Sequence, residues 1–459
     1  MVAAGAVPPP EISEGTIDYP LQYAGPGANH LQIRRGGILS AMTVRSCLHE
    51  GFTDPLRDTL WGHIYLTPAL AALTSSAPFM RLYRIFQLGP VYRVYPGATH
   101  TRAGHSIGVY HLGRRMLQNL VERGAEGWLS PGGVRSFLCA CLLHDLGHFP
   151  YAHSLKELPL ISHESLTGRL ILTEPVKSLV GACGADPFLS AAIVDGSLAG
   201  GSGGELGFYR KLLSGVLDPD KLDYLNRDAR YCGVPYGAQD VDFILSRLYP
   251  HPERGVDIDS RGIPSVESVF FSKYLMYRTV YWHHSVRSAT SMIKKVLIQA
   301  LQKGLLRDEE LYNLDDQGLF DLMERRSALP LAAQVKEGAL FSMAAEFPVD
   351  EQFHRPLLDI GKRAFHEEIL AAYLSAALNR KIPAAEIVID VPEPFSLDTT
   401  LYVRNEERPF TQSSSAFNGN TARSFVKSLY MIRVFVHPRY EEDIKNCKNV
   451  LQLDGKWLE

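Results

Sequence analysis

Histidine and aspartate recur in this chain at spacings that suit metal or phosphate chemistry. His144-Asp145 closes an apolar run at 137–143 that reads FLCACLL. A carboxylate placed directly after such a run needs a partner, a metal or solvent. Taken alone, the dipeptide reads most simply as a helix end where Asp145 meets water or an arginine. The surroundings change that reading. His148 follows within one turn, then His153, then His163-Glu164, and Gly147 and Pro150 interrupt the helix so that these side chains can converge from a loop. Four of the 16 histidines therefore fall within 20 residues, a concentration suited to metal or phosphate work. Upstream, His105 shares a helical stripe with Val109, Leu112 and Met116 and must point inward, as a core histidine or as a ligand. Arg102 stands three residues before it. Beside a metal ligand its planar fork would clamp a phosphate.

A further candidate is the run DPDKLDYLNRD at 218–228. Asp218 suits an N-cap, Pro219 the first helical position and Gly233 the stop. Leu222, Leu225 and Ala229 form the core face of this helix. Lys221, Tyr224 and Asp228 share another face, with Asp220 at its start. Such a face is either a solvated charge run or a lining for a sugar-phosphate ligand.

These residues need elements to hold them. The pattern predicts an arm over 1–45 with a short strand near 31–33, and helices at 68–73, 79–87 and 105–120. The run at 137–143, rich in Leu, Ala and Cys, predicts a buried helix. GGSGG at 200–204 predicts a flexible loop. Long helical patterns follow at 266–306 and 355–377, and β-branched runs at 387–391, 401–403 and 431–436 predict strands. The expected architecture is mainly α, a helical body over 46–306 with a smaller C-terminal helical and α+β region over 307–459.

The chain has 459 residues, a formal net charge of -3 and six cysteines. The balanced charge gives nucleic acid little purchase. No cysteine pair has C-x-x-C spacing, and Cys139 and Cys141 sit in the apolar run, which suits a reducing compartment. With no signal-peptide pattern and no apolar stretch near the ~20 residues that span a bilayer, the expectation is a soluble cytoplasmic protein without a membrane partner.

In this order the pieces resemble the HD-domain metal-dependent phosphohydrolases, and within them the deoxynucleoside triphosphate triphosphohydrolases, the branch that includes the animal SAM-and-HD-domain enzyme and bacterial dGTPases. The carrying segments are RLYRIFQLGPVYRVYPGATHTRAGHSIGVYHLG, LLHDLGHFPYAHSL, ISHES and LDPDKLDYLNRDARYCG, with SKYLMYRTVYWHH matching more loosely. Over 59–286 the likeness is clear; it continues faintly into VPEPFS and IRVFVHPRY.

The resemblance implies one divalent metal ion (iron, manganese, zinc, cobalt or magnesium) held by His105, His144, Asp145 and Asp220. It implies that Arg102, His148, His153, Lys221 and Tyr224 surround the phosphates and that His163 donates or orients a proton. Gln87 and Asp228 would bind the sugar 3′-hydroxyl, with Tyr281 near sugar and base. Lys273 stands where the animal enzyme has an arginine on the triphosphate. The implied reaction is attack of water on the α-phosphorus of a dNTP, releasing nucleoside and triphosphate, in a homo-oligomer (a tetramer or dimer). A phosphatase acting on nucleoside monophosphates or another phosphoester, and a silent nucleotide-sensing scaffold, are the alternatives. Three departures stand out. Ser75, Met80 and Tyr83 occupy positions where the animal enzyme reads an activating guanine nucleotide, so activation of that kind is not expected. Trp282 replaces a glutamine near the base, and RDTLWGHIYL alters a stretch usually written DP-hydrophobic-HG.

Overall fold

The computed structural model describes residues 43–446 except 54, 199–203, 327–329, 394 and 398. The expected arm over 1–45, apart from its last residues, the strand near 31–33 and nearly all of the GGSGG loop lie outside the described residues.

Helices dominate, as the apolar periodicity predicts. Three of them build the site. The Arg102–Glu122 helix starts at an N-cap, Thr101, whose hydroxyl accepts from the Gly104 amide. Its stripe of Val109, Leu112, Met116 and Leu120 is almost wholly buried. The Pro131–Leu143 helix starts at Ser130 with Pro131 in the first position, and every residue of its FLCACLL run is buried. The Pro219–Cys232 helix has Asp218 as N-cap and Gly233 as left-handed C-cap (φ 69°), the conformation that favours glycine. The first of these helices packs against both others. All three bury apolar faces in one core, and the ends bearing His105, His144 and Asp220 meet.

Three expected helices are broken, the one over 355–377 at the extended Asp359 between Arg355–Leu358 and Ile360–Ala377. Helical spacing over 79–87 ends at Arg81, followed by one 3-10 turn, because Phe86 bridges to Thr101 and the Gln87 amide donates to the His100 carbonyl. Pairing with a distant segment overrides local periodicity there. The pattern over 266–306 divides into Ile263–Met276, a π turn over Tyr277–Tyr281 and His284–Gln302. The break sets Tyr281 and Trp282 on the cavity wall.

The expected strands form at Ile387–Asp390, Tyr402–Val403 and Met431–Val436. The last is the centre of an antiparallel sheet, between Ser342–Pro348 and Ile387–Asp390. Its apolar side packs with Leu370 and Leu374 of the Ile360–Ala377 helix. The antiparallel pair Pro55–Asp58 and Gly62–Tyr65 was not anticipated. Among the described residues no single helix is long and apolar enough to cross a membrane.

Candidate metal centre

Four donor side chains converge where the three helices meet. His105 Nε2 lies 3.0 Å from Asp220 Oδ1 and 4.0 Å from Asp145 Oδ2. His144 Nε2 lies 3.3 Å from Asp145 Oδ1 and 3.9 Å from Asp220 Oδ1. Ligand atoms of His105, His144 and Asp145 all fall within 4.8 Å of one another.

The tautomers fit an ion. His144 Nδ1 donates to the Cys141 carbonyl at 3.0 Å, which leaves Nε2 as the lone-pair nitrogen, and that atom is buried without a hydrogen-bond partner. His105 Nδ1 donates to Asp223 Oδ2 at 2.8 Å, turning Nε2 to the centre. Burial pulls the His105 imidazole down, but its hydrogen bonds to Asp220 and Asp223 prevail and hold it up at about 10. A divalent cation is the chemical equivalent of that second proton. Burial opposes ionisation of Asp145, yet His148, His144 and Arg102 keep its carboxyl well below the usual range. Two imidazoles and two carboxylates suit a mid-hardness divalent ion, so these residues could hold one.

Behind these four side chains lies a layer that local patterning did not single out. Asp223 accepts from Arg227 through both oxygens, at 2.8 and 2.9 Å, and from the Trp61 indole at 2.5 Å. Arg227 in turn reaches Asp58 Oδ2 at 2.9 Å, and Asp58 also accepts from the Leu60 and Trp61 amides. The altered stretch RDTLWGHIYL thus serves the centre through Asp58 and Trp61. The available signal was the Asp223/Arg227 spacing of four, which pairs opposite charges along a helix.

His148, His153 and His163 form a second cluster, with ring centroids 3.9 to 4.9 Å apart. His148 Nε2 stands 3.1 Å from Asp145 Oδ1, off hydrogen-bond alignment, and both its ring nitrogens lack a hydrogen bond. Burial, then the Arg102 charge, pushes its imidazole well down; burial likewise lowers His163 to about 4. Both are neutral near pH 7.

A cavity of about 590 Å³ opens onto these groups. Gln87, Arg102, His153, His163, Lys221, Tyr224, Asp228 and Tyr281 line it with His105, His144, Asp145 and Asp220. Arg102 Nη1 is held by Asp145 at 2.7 Å, while its Nε is buried and unpartnered. Gln87 Oε1 is likewise buried without a donor. Asp228 accepts from the Tyr281 hydroxyl at 2.6 Å and lies 2.8 Å from His100 Nε2. Lys221 pairs with Asp218 at 2.6 Å. Lys273 is not on the wall: its ammonium donates to the Ser396 carbonyl at 2.9 Å. The wall also carries a residue that sequence reasoning did not assign to the site, Phe395, stacked on Tyr277 at 4.5 Å and set edge-on to Trp282.

His105, His144-Asp145 and Asp220 thus meet within a mainly helical body, and the chain is similar to several known proteins. The family profile described as the HD associated region matches residues 240–457. The Bacillus subtilis protein YwfO is 37% identical over 239 residues, covering 52% of each chain. Human deoxynucleoside triphosphate triphosphohydrolase SAMHD1 is 26% identical over 284 residues, covering 55% of this chain and 45% of its own. The chain spans about half the length of these relatives. A solved structure from Aquifex aeolicus superposes with a TM-score of 0.66 at 25% identity, over 86% of this chain and 99% of that one. A phosphohydrolase of Bacteroides thetaiotaomicron shares the fold (TM-score 0.64, 22% identity, 84% and 100% coverage). Together these likenesses support a place for the chain in the HD-domain family.

Proposed function

We propose that this chain hydrolyses deoxynucleoside triphosphates to deoxynucleoside and inorganic triphosphate, using one divalent ion held by His105, His144, Asp145 and Asp220. The observation that carries the reading is the meeting of four donors in a cavity that Gln87, Arg102, Lys221 and Tyr224 also line. Its volume lies within the roughly 300–1,000 Å³ of small-molecule sites. The name of the SAMHD1 relative adds the substrate class.

When bound, the ion supplies Lewis-acid polarisation of a phosphoryl oxygen. The rest falls to the chain. Arg102, Lys221 and Tyr224 offer hydrogen bonds to phosphate oxygens where charge accumulates. His148 and His163, neutral near pH 7, each take a proton as a base and then pass that proton on, and His153 completes their cluster. Gln87 and Asp228 accept from a sugar hydroxyl, and Tyr281, bonded to Asp228, fixes the sugar side. Lys273 reaches a triphosphate only by leaving the Ser396 carbonyl. The same reading places the protein in the cytoplasm as a homo-oligomer, tetramer or dimer, which sedimentation of the purified chain tests.

The functional test is a panel of four dNTPs and four NTPs with manganese, iron or magnesium, read by chromatography. Tripolyphosphate with nucleoside is the expected product; free phosphate indicates the phosphatase, and intact nucleotide with tight binding the sensing scaffold. His144→Ala is expected to abolish turnover, and activity surviving in it refutes the site.

A further inference from the structure

The turn that carries His144, Asp145 and His148 is gripped from two sides. On one side Gly147 presses on the helix that begins at His163, where a Cβ would run into the His163 carbonyl and the Thr167 amide. The Thr167 hydroxyl takes the Gly147 N–H at 2.8 Å and donates to the His144 carbonyl at 3.0 Å. On the other side stands Arg81, the last residue of the Ala77–Arg81 helix, 7% exposed. Its Nη2 donates to the Leu146 carbonyl at 2.7 Å, and its Nη1 to the His148 carbonyl at 2.6 Å and the Leu314 carbonyl at 2.9 Å.

A buried guanidinium spent on carbonyl oxygens is costly unless their placement matters. The two carbonyls in the turn flank Gly147 and fix the plane from which Asp145 and His148 project. The third anchors them to the residues before the Asp316–Arg325 helix, where Asp316 accepts from the Phe86 amide beside Gln87. We infer that Arg81 is a positioning residue of the metal centre, which sets Asp145 and His148 through the carbonyls of their turn and ties that turn to residues 314–316. The inference rests on the metal-site reading above.

The test compares the full chain with Arg81→Lys, Arg81→Met and, as control, Arg84→Met, whose arginine is exposed and pairs with Asp315 at 2.5 Å. Each is titrated with cobalt(II), following affinity and the visible absorption of the bound ion, and then assayed for kcat and KM. Residues behind metal ligands govern affinity by about 10- to 100-fold. Arg81→Met is expected to lose affinity on that scale, to displace the cobalt spectrum and to lower kcat more than it changes KM. An ammonium cannot span all three carbonyls, so Arg81→Lys is expected to lie between Met and wild type, and Arg84→Met to match wild type. If Arg81→Met does not fold, the Lys variant decides alone. A folded Arg81 variant with wild-type affinity and spectrum overturns the inference. A wild-type chain that binds no divalent ion overturns the metal reading itself.

Discussion

Gly108 shows how little freedom the centre leaves. It lies three residues after His105, beneath the Asp223–Arg227 pair, and a Cβ there would overlap Asp223 Oδ1 and Arg227 Nη2. Both groups are buried. Gly108→Ala must therefore break the carboxylate–guanidinium contact, at about 3 kcal/mol for an uncompensated buried charge, and release the Nδ1 anchor of His105. The expected outcome is a drop of that size in urea-derived stability together with weaker manganese binding. Unchanged values for both would show that the pair can move. At this scale the sequence was legible where chemistry announces itself: His105, His144, Asp145 and Asp220 do come together. Asp223 and Arg227 escaped because an acid and a base four apart on a helix are ordinary on a surface. Only the fold reveals that this pair faces inward, onto an imidazole. Lys273 is the converse case, placed on the substrate by likeness while its ammonium bonds a carbonyl off the cavity wall.

One face of the His284–Gln302 helix joins the helical body to the C-terminal region through charge. Arg287 pairs with Asp390 at 2.6 Å and Glu393 at 3.0 Å, Lys294 with Glu157 at 2.6 Å and Glu393 at 2.7 Å, and Arg363 with Glu157 at 2.6 Å. Arg287 and Lys294, seven apart, lie on the same side of the helix. Lys294→Met removes the buried ammonium that bridges two half-buried acids, each of which keeps an arginine. Its cost is expected near the lower end for a broken buried pair, about 3 kcal/mol, read as a shift in the urea midpoint. A change under ~0.5 kcal/mol, the ordinary surface range, would refute the network as a structural joint. Helices with a clean apolar stripe and standard caps were legible as elements, as at Arg102–Glu122 and Pro219–Cys232. The Phe86–Thr101 bridge and the π turn at Tyr277–Tyr281 were not, because their causes lie in other segments rather than in local spacing.

At the scale of the whole molecule, a metal ion that binds only the folded chain adds RT ln(1 + [M]/Kd) to stability, about 2.7 kcal/mol at a hundredfold excess over Kd. Manganese added to chelator-treated protein is expected to raise the melting temperature, and to fail to do so in Asp220→Asn. Equal shifts in the two proteins would place the ion elsewhere. The four proposed ligands come from two helices and from the turn after a third, between residues 105 and 220, so the ion has nothing to grasp until distant segments have already docked. A cation in that position cannot act as a nucleus for chain collapse. It is a latch closed late: refolding should proceed at one speed with or without it, and only the rate of escape from the native basin should slow.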